Sequence, residues 1–260
     1  MAPFGSALVA SAFEIGCVCS KKNAGAGRYC LLFTCVCLGC AAQSVGPKLS
    51  AEDSGAHPYP PHWWEPIPED GAASWEILPQ AAGPGEVILS KRNELGLLSN
   101  FAATPFVFRG RRYQSLEGFW QMMKYPEDAS DPRATFPGIE WRHSREEVAQ
   151  MVGFEAKAAG DLGSEGMRLM GINWVTFEGR RMQYRTQERR VHYQVIVQAT
   201  RAKIRQNPRV REVLRSTGDL VLRPDHRRPP DTPPAWRYDE ILMSIRDAPE
   251  GSGEAKTGSR

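Results

Sequence analysis

The sequence predicts an α+β fold, a single domain that is predominantly helical with a small β-sheet. Three observations carry this. Apolar residues recur at helical spacing in several stretches. Runs that read as strands are few and short. All of them fall between residues 86 and 247 of the 260-residue chain.

Taken in order, EVILS (86–90) reads as a short buried strand. PFVFRGRRYQ (105–114) reads as two strands around a tight turn at Gly110. Ser115 reads as the N-cap of a helix that stops before Pro126, because the residue ahead of a proline avoids helical dihedrals. Residues 126–143, with three prolines, read as a loop. SREEVAQMVGFEAKAAGDLG (144–163) reads as one helix with a Ser N-cap and Gly160 near its end, followed by a short helix over 164–171. Helices are expected at 188–208 and at 208–219, the second with proline at its start and Gly218 at its end. DLVLRPD (219–225) reads as a strand and 235–247 as a closing helix.

Outside this domain, residues 41–85 are rich in Pro, Gly, Ala and Ser. They read as a linker or irregular wrap, with Trp63, Trp64 and Trp75 available to dock on the domain. Residues 248–260 are small and polar and read as a disordered tail. All six cysteines, Cys17, Cys19, Cys30, Cys35, Cys37 and Cys40, precede the domain, so its chemistry cannot use a thiol. Lys21, Lys22 and Arg28 precede YCLLFTCVCLG, which small residues follow, so residues 1–40 read as a signal leader. CLGC resembles a lipoprotein cleavage site, which makes Cys40 a candidate lipid anchor. The chain is then either an exported lipoprotein or a cytoplasmic protein with a misassigned leader. The apolar run is too short for a transmembrane helix, which needs about 20 residues.

The formal net charge of +3 is mildly basic and suits a phosphate-bearing ligand without demanding one. The arginine runs at 109–112, 179–185 and 188–190 read as solvated faces. There is no phosphate-binding G-x-x-x-x-G-K-[ST], no G-x-S-x-G, no H-E-x-x-H and no H-x-x-x-H. No metal or cofactor is expected, so the chemistry falls to carboxylates, Lys and Arg.

The stretch SLEGFWQMMK (115–124) narrows the search. Leu116, Phe119, Trp120 and Met123 share one helical face, and Glu117 lies beside it with Gln121 and Lys124 at i+4 and i+7. A carboxylate against an apolar wall is costly unless it is paired or used. Glu117 and Lys124 are two turns apart, roughly 10 Å along the axis, and a lysine side chain can lean back toward a shared ligand.

Residues 95–124 resemble the opening of the NADAR (NAD and ADP-ribose) family, also called YbiA-like. The pattern is L-S-N-F, P-F-x-x-x-G-x-x-Y and S-x-E-x-x-x-Q-x-x-K, matched here by 98–101, 105–113 and 115–124. RAKIRQNPRVREVLRSTGD (201–219) and EILMSIR (240–246) resemble later blocks of the same family. The resemblance implies cleavage of a ribose C1–N bond. Its substrate would be an ADP-ribosylated nucleobase such as guanine, free or within a nucleic acid, or a ribosyl-phosphate intermediate of the riboflavin pathway. It places Glu117 and Lys124 at the reaction. Ser99, Asn100, Phe101, Trp120, Gln121, Trp174, Asp219, Asp225 and His226 are the residues expected to bind ligand. Departures mark a variant branch. The family's Asp-Trp pair has two candidates here, Asn173-Trp174 and Gln187-Glu188, and Asp225, His226 and Trp236 stand where a late acidic element is usual. Two further readings are a non-catalytic ADP-ribose or NAD binding module, and a toxin–antitoxin partner protein.

Overall fold

The structure, a computed structural model, describes residues 58–248, all within the compact unit Asp53–Arg260. The leader, the Cys40 anchor and the tail beyond residue 248 lie outside the described residues. No described helix is long and apolar enough to cross a membrane.

Among the described residues, six α-helices and six short strands give the mixed α+β architecture. The small sheet is not one sheet but three two-stranded ladders. Strand β1 (Glu86–Ile88) pairs in parallel with β6 (Val221–Arg223), Val87 opposite Leu222. Strands β2 (Phe106–Phe108) and β3 (Arg111–Tyr113) form the expected hairpin. Its turn uses Arg109 (φ 52°) and Gly110 (φ 75°), the left-handed pair that a two-residue hairpin requires. A second hairpin repeats this turn. Strands β4 (Trp174–Phe177) and β5 (Arg180–Gln183) are joined by Glu178 (φ 51°) and Gly179 (φ 70°). The two hairpins meet through Phe108 and Phe177, whose rings stack with centroids 5.9 Å apart.

Helix α1 (Leu116–Met122) is buried along its whole length. Ser115 caps its start, accepting from Gly118 N at 2.9 Å and donating to Met151 O at 2.8 Å. Two buried arginines satisfy the carbonyls around its C-terminal end. Arg133 donates to Met123 O and Lys124 O at 3.0 and 3.1 Å, and Arg145 donates to Met122 O and Tyr125 O at 3.2 and 2.9 Å.

The single helix expected over 144–163 is two helices. Helix α2 (Arg145–Ala149) keeps the Ser144 cap and adds a reciprocal bond from Glu147. The chain then breaks, and Gly153 (φ 56°) opens α3 (Gly153–Leu169), which absorbs the short helix expected over 164–171. Gly160 and Gly163 do not end a helix. They are where α3 presses on α1. A methyl added at Gly160 would lie 2.0 Å from Gln121 Oε1, and one at Gly163 would lie 2.9 Å from Lys124 Cβ.

Helices α4 (Val191–Gln206), α5 (Pro208–Ser216) and α6 (Tyr238–Arg246) complete the unit. Two apolar clusters form the core. One surrounds α1, and the other joins β1, β6 and α5. Helix α4 contributes Ile196 to the first and Ile204 to the second, and so joins them.

From residue 58, the Pro-rich segment is an irregular wrap built on three 3-10 turns, Pro61–Trp64, Glu69–Gly71 and Pro79–Ala81. Its anchor is Trp63, 1% exposed within the second cluster, whose indole N–H donates to Glu94 at 2.8 Å. If the wrap is part of the folded unit, Trp63→Ala should destabilise it by about 3–5 kcal/mol, the cost of emptying a buried indole site. Denaturant titration measures this, and an unchanged midpoint would show that the segment packs without contributing.

Candidate functional site

Burial of α1 is what places polar groups where they can act. Three of its residues, Glu117, Trp120 and Gln121, together with Lys124 just beyond its end, line one cavity of about 760 Å³. Ser99, Asn100 and Phe101 line it from the loop ahead of β2, and His226 from the loop after β6.

Glu117 is 6% exposed and accepts from Gln121 Nε2 at 2.6 Å. Burial raises its pKa, and the Gln121 bond and the nearby Lys124 only partly oppose that. The Gln121 Oε1 atom is buried with no hydrogen-bond partner. Lys124 is 4% exposed. Its Nζ donates to Gly160 O at 2.9 Å and to Ser164 Oγ at 2.8 Å, and lies 5.3 Å from the centre of the Tyr184 ring. Burial pushes its pKa down to about 8, with Glu117 acting in the opposite sense. The two groups therefore share a cavity without forming a close ion pair. One is a carboxyl biased toward its neutral form, the other an amine that loses its proton unusually easily.

Helix α3 supplies a wall that the sequence reading missed. Phe154, Lys157, Asp161 and Ser164 face the cavity at i, i+3, i+7 and i+10, a helical stripe whose first three members fall within the helix expected over 144–163. Other missed lining residues are Trp75, Lys91, Tyr184, Arg185, Arg227 and Tyr238. Trp236, noted in the variant late segment, lines it too. Lys91, Lys124, Lys157, Arg185 and Arg227 outnumber Glu117 and Asp161, and Lys157 and Asp161 pair with each other at 2.5 Å. The balance favours an anionic ligand.

Two aromatic groups flank these charges. Phe154 meets Trp75 and Phe101 edge to face, with centroids 6.1 and 5.2 Å apart, and Lys91 Nζ lies 5.4 and 5.2 Å from the Trp75 and Phe101 rings. Trp120, Tyr184 and Trp236 form the other group with His192, a histidine that burial holds neutral by pushing its pKa down to about 4.

Three expected ligand residues lie elsewhere. Trp174 packs against the guanidinium groups of Arg133 and Arg181, at 4.8 and 4.2 Å from its ring centre, outside the cavity. Asp219 follows α5 and accepts from Tyr59 of the wrap. Asp225 is 1% exposed and sits behind the wall, where it pairs with two residues that do line the cavity, Lys91 and His226.

The segment around 201–208 is scaffold for the cavity. Lys203 Nζ donates to Ser99 O at 2.7 Å, Gln206 exchanges two bonds with the Val107 backbone, and Asn207 donates to Pro105 O at 3.0 Å. Side chains of one sequence block thus fix the backbone of the other.

No family model matches the chain, and no curated protein matches it. A structural likeness is found to the Escherichia coli protein YbiA, solved by NMR. It has 20% identity, covers 61% of this chain and 82% of that one, and has a TM-score of 0.36. A likeness that loose carries no argument about fold or function.

Lys203 is buried, and burial alone pushes its pKa down to about 7 from the ordinary 10.5. Between those two values the unfolded chain binds a proton that the folded chain does not. Stability must therefore rise with pH across that window. Lys124 adds to the slope from its own value of about 8 upward. Lys203→Met should flatten the rise, as read from denaturant midpoints at successive pH values. Equal slopes in the two proteins would mean that Lys203 titrates as an ordinary surface amine.

Proposed function

We propose that the protein is an N-glycosidase that breaks a ribose C1–N bond. Its substrate is an ADP-ribosylated nucleobase such as guanine, or a related ribosyl-phosphate intermediate. The observation that carries this reading is the burial of Glu117 and Lys124 in one cavity whose other charges are mostly cationic. The motif resemblance over residues 95–124 and 201–219 points the same way.

Such a bond breaks through a cation-like state at C1, which a desolvated carboxylate stabilises strongly. Although burial biases Glu117 toward its neutral form, its ionised fraction fills that role, and Gln121 orients it. Lys124 is the nucleophile. A neutral amine has two N–H bonds and one lone pair. With Gly160 O and Ser164 Oγ accepting the two N–H bonds, the lone pair is left for C1. Attack forms the C1–Nζ bond as the base departs with the C1–N electron pair and takes up a proton. Opening of the ribose ring gives a Schiff base, and water then releases the sugar and restores the amine. Lys91, Arg185 and Arg227 suit the phosphates, and the two aromatic groups suit flat rings.

The wild type should release free base from a panel of ribosyl-N substrates, while Glu117→Gln and Lys124→Ala each lose about 10²–10⁴ in rate. Borohydride added during turnover should leave a reduced sugar adduct on Lys124, found by mass spectrometry. No release by the wild type from any panel member would refute the function. Release without an adduct would move the nucleophile's role to water.

A further inference from the structure

The reaction proposed above leaves one proton unassigned. A neutral purine or pyrimidine is a poor leaving group unless its nitrogen is protonated as the bond breaks. Neither Glu117 nor Lys124 is arranged to do this if Lys124 attacks C1 and Glu117 faces the cation.

A second constellation borders the same cavity. His226 Nδ1 and Asp225 Oδ1 are 3.1 Å apart. With Asp225 ionised, Nδ1 is the donor and Nε2, across the ring, is left for a ligand. Nε2 has no protein partner among the described residues. Burial works against ionisation of Asp225, but hydrogen bonds from His226 and Lys91 outweigh it and hold its carboxyl below the ordinary value. The ring is held on one face by Tyr238, stacked 13° from parallel with centroids 6.1 Å apart. The backbone is held as well, and from an unexpected quarter. Residues 76 and 77 of the wrap fix it, Glu76 by a bridge to His226 and Ile77 N by donating to Asp225 O at 2.7 Å. Glu76 is itself clamped by Arg92 at 2.7 Å. An exposed histidine beside an aspartate is common. One with its carboxylate fully buried, its ring stacked, its backbone bridged and its edge on the cavity that holds Glu117 and Lys124 is a positioned acid.

We infer that His226, oriented by Asp225, is the general acid that protonates the departing base. The inference rests on the glycosidase reading. As the C1–N bond breaks, its electron pair stays on the base nitrogen, which takes the Nε2 proton of the doubly protonated His226 imidazolium. The neutral imidazole then takes a proton from the water that hydrolyses the Schiff base, and the cycle closes. Asp225 acts through His226 and is a positioning residue.

Leaving-group chemistry tests this. The substrates are a ribosyl purine with a neutral base and its N7-methylated counterpart, whose cationic base departs without a proton. His226→Ala should lose about 10²–10⁴ on the neutral base and change little on the methylated one. Added imidazole should restore part of the lost rate. Asp225→Asn should lose less, with the same bias toward the neutral base. Equal losses on both substrates without rescue by imidazole, or no loss on the neutral base, would overturn the assignment while wild-type turnover still upholds the glycosidase. So would a wild type that cleaves only the methylated substrate. A wild type that cleaves neither would remove the glycosidase reading and this inference with it.

Discussion

The close approach of α3 to α1 is the constraint on which the site depends. A side chain at 160 or 163 would force its neighbour on the facing segment to shift, since a methyl at the first would meet the Gln121 side chain at 2.0 Å and one at the second Lys124 Cβ at 2.9 Å. With glycine at both, the polar face of α1 is pressed out of water. Glu117, Gln121 and Lys124 then stand against backbone and aromatic rings. Desolvation penalises the charged form of each titratable group, raising the carboxyl and lowering the amine. The perturbed chemistry thus follows from two missing side chains on a neighbouring helix. Gly118 does the same on the other side, where a methyl would lie 2.5 Å from Met151 O.

A seven-residue helix buried on every side is marginal by itself, because nucleation and unpaired ends dominate its energetics. Here Ser115 satisfies one end, and Arg133 and Arg145 the other. Those cations are in turn matched by Asp131 and Glu127, at 2.6 and 3.5 Å. Ordering of the cavity loop is separate and comes from α4, through Lys203, Gln206 and Asn207. Residues 95–124 and 201–219 thus act together, as a loop and the side chains that hold its carbonyls.

Much of this was legible in the sequence. The first hairpin, α1 with its Ser115 cap, α4, α5 and the strand at 221–223 follow from periodicity and turn residues. Glu117 and Lys124 stood out because polar groups beside an apolar helical face need a reason. What failed has identifiable causes. Glycines in α3 read as a stop signal, because a sequence does not distinguish a cap from a close contact. The β4–β5 hairpin was missed although Glu178-Gly179 repeats the turn at Arg109-Gly110, since arginines interrupt its alternation. Trp174 and Asp219 were placed by motif position and lie outside the cavity, Trp174 against two arginines and Asp219 bonded to Tyr59. Trp75 and the clamp at Glu76 come from a segment whose composition resembles a linker, and only long-range pairing reveals their part in the cavity wall.

The central claim is that the α1–α3 seam holds an easily deprotonated amine inside a ligand-sized cavity. Competitive labelling of the Lys124 amine, mapped by mass spectrometry across pH, measures this directly. A reactivity midpoint near pH 8 is expected for Lys124. A midpoint at the ordinary lysine value of 10.5 would contradict it.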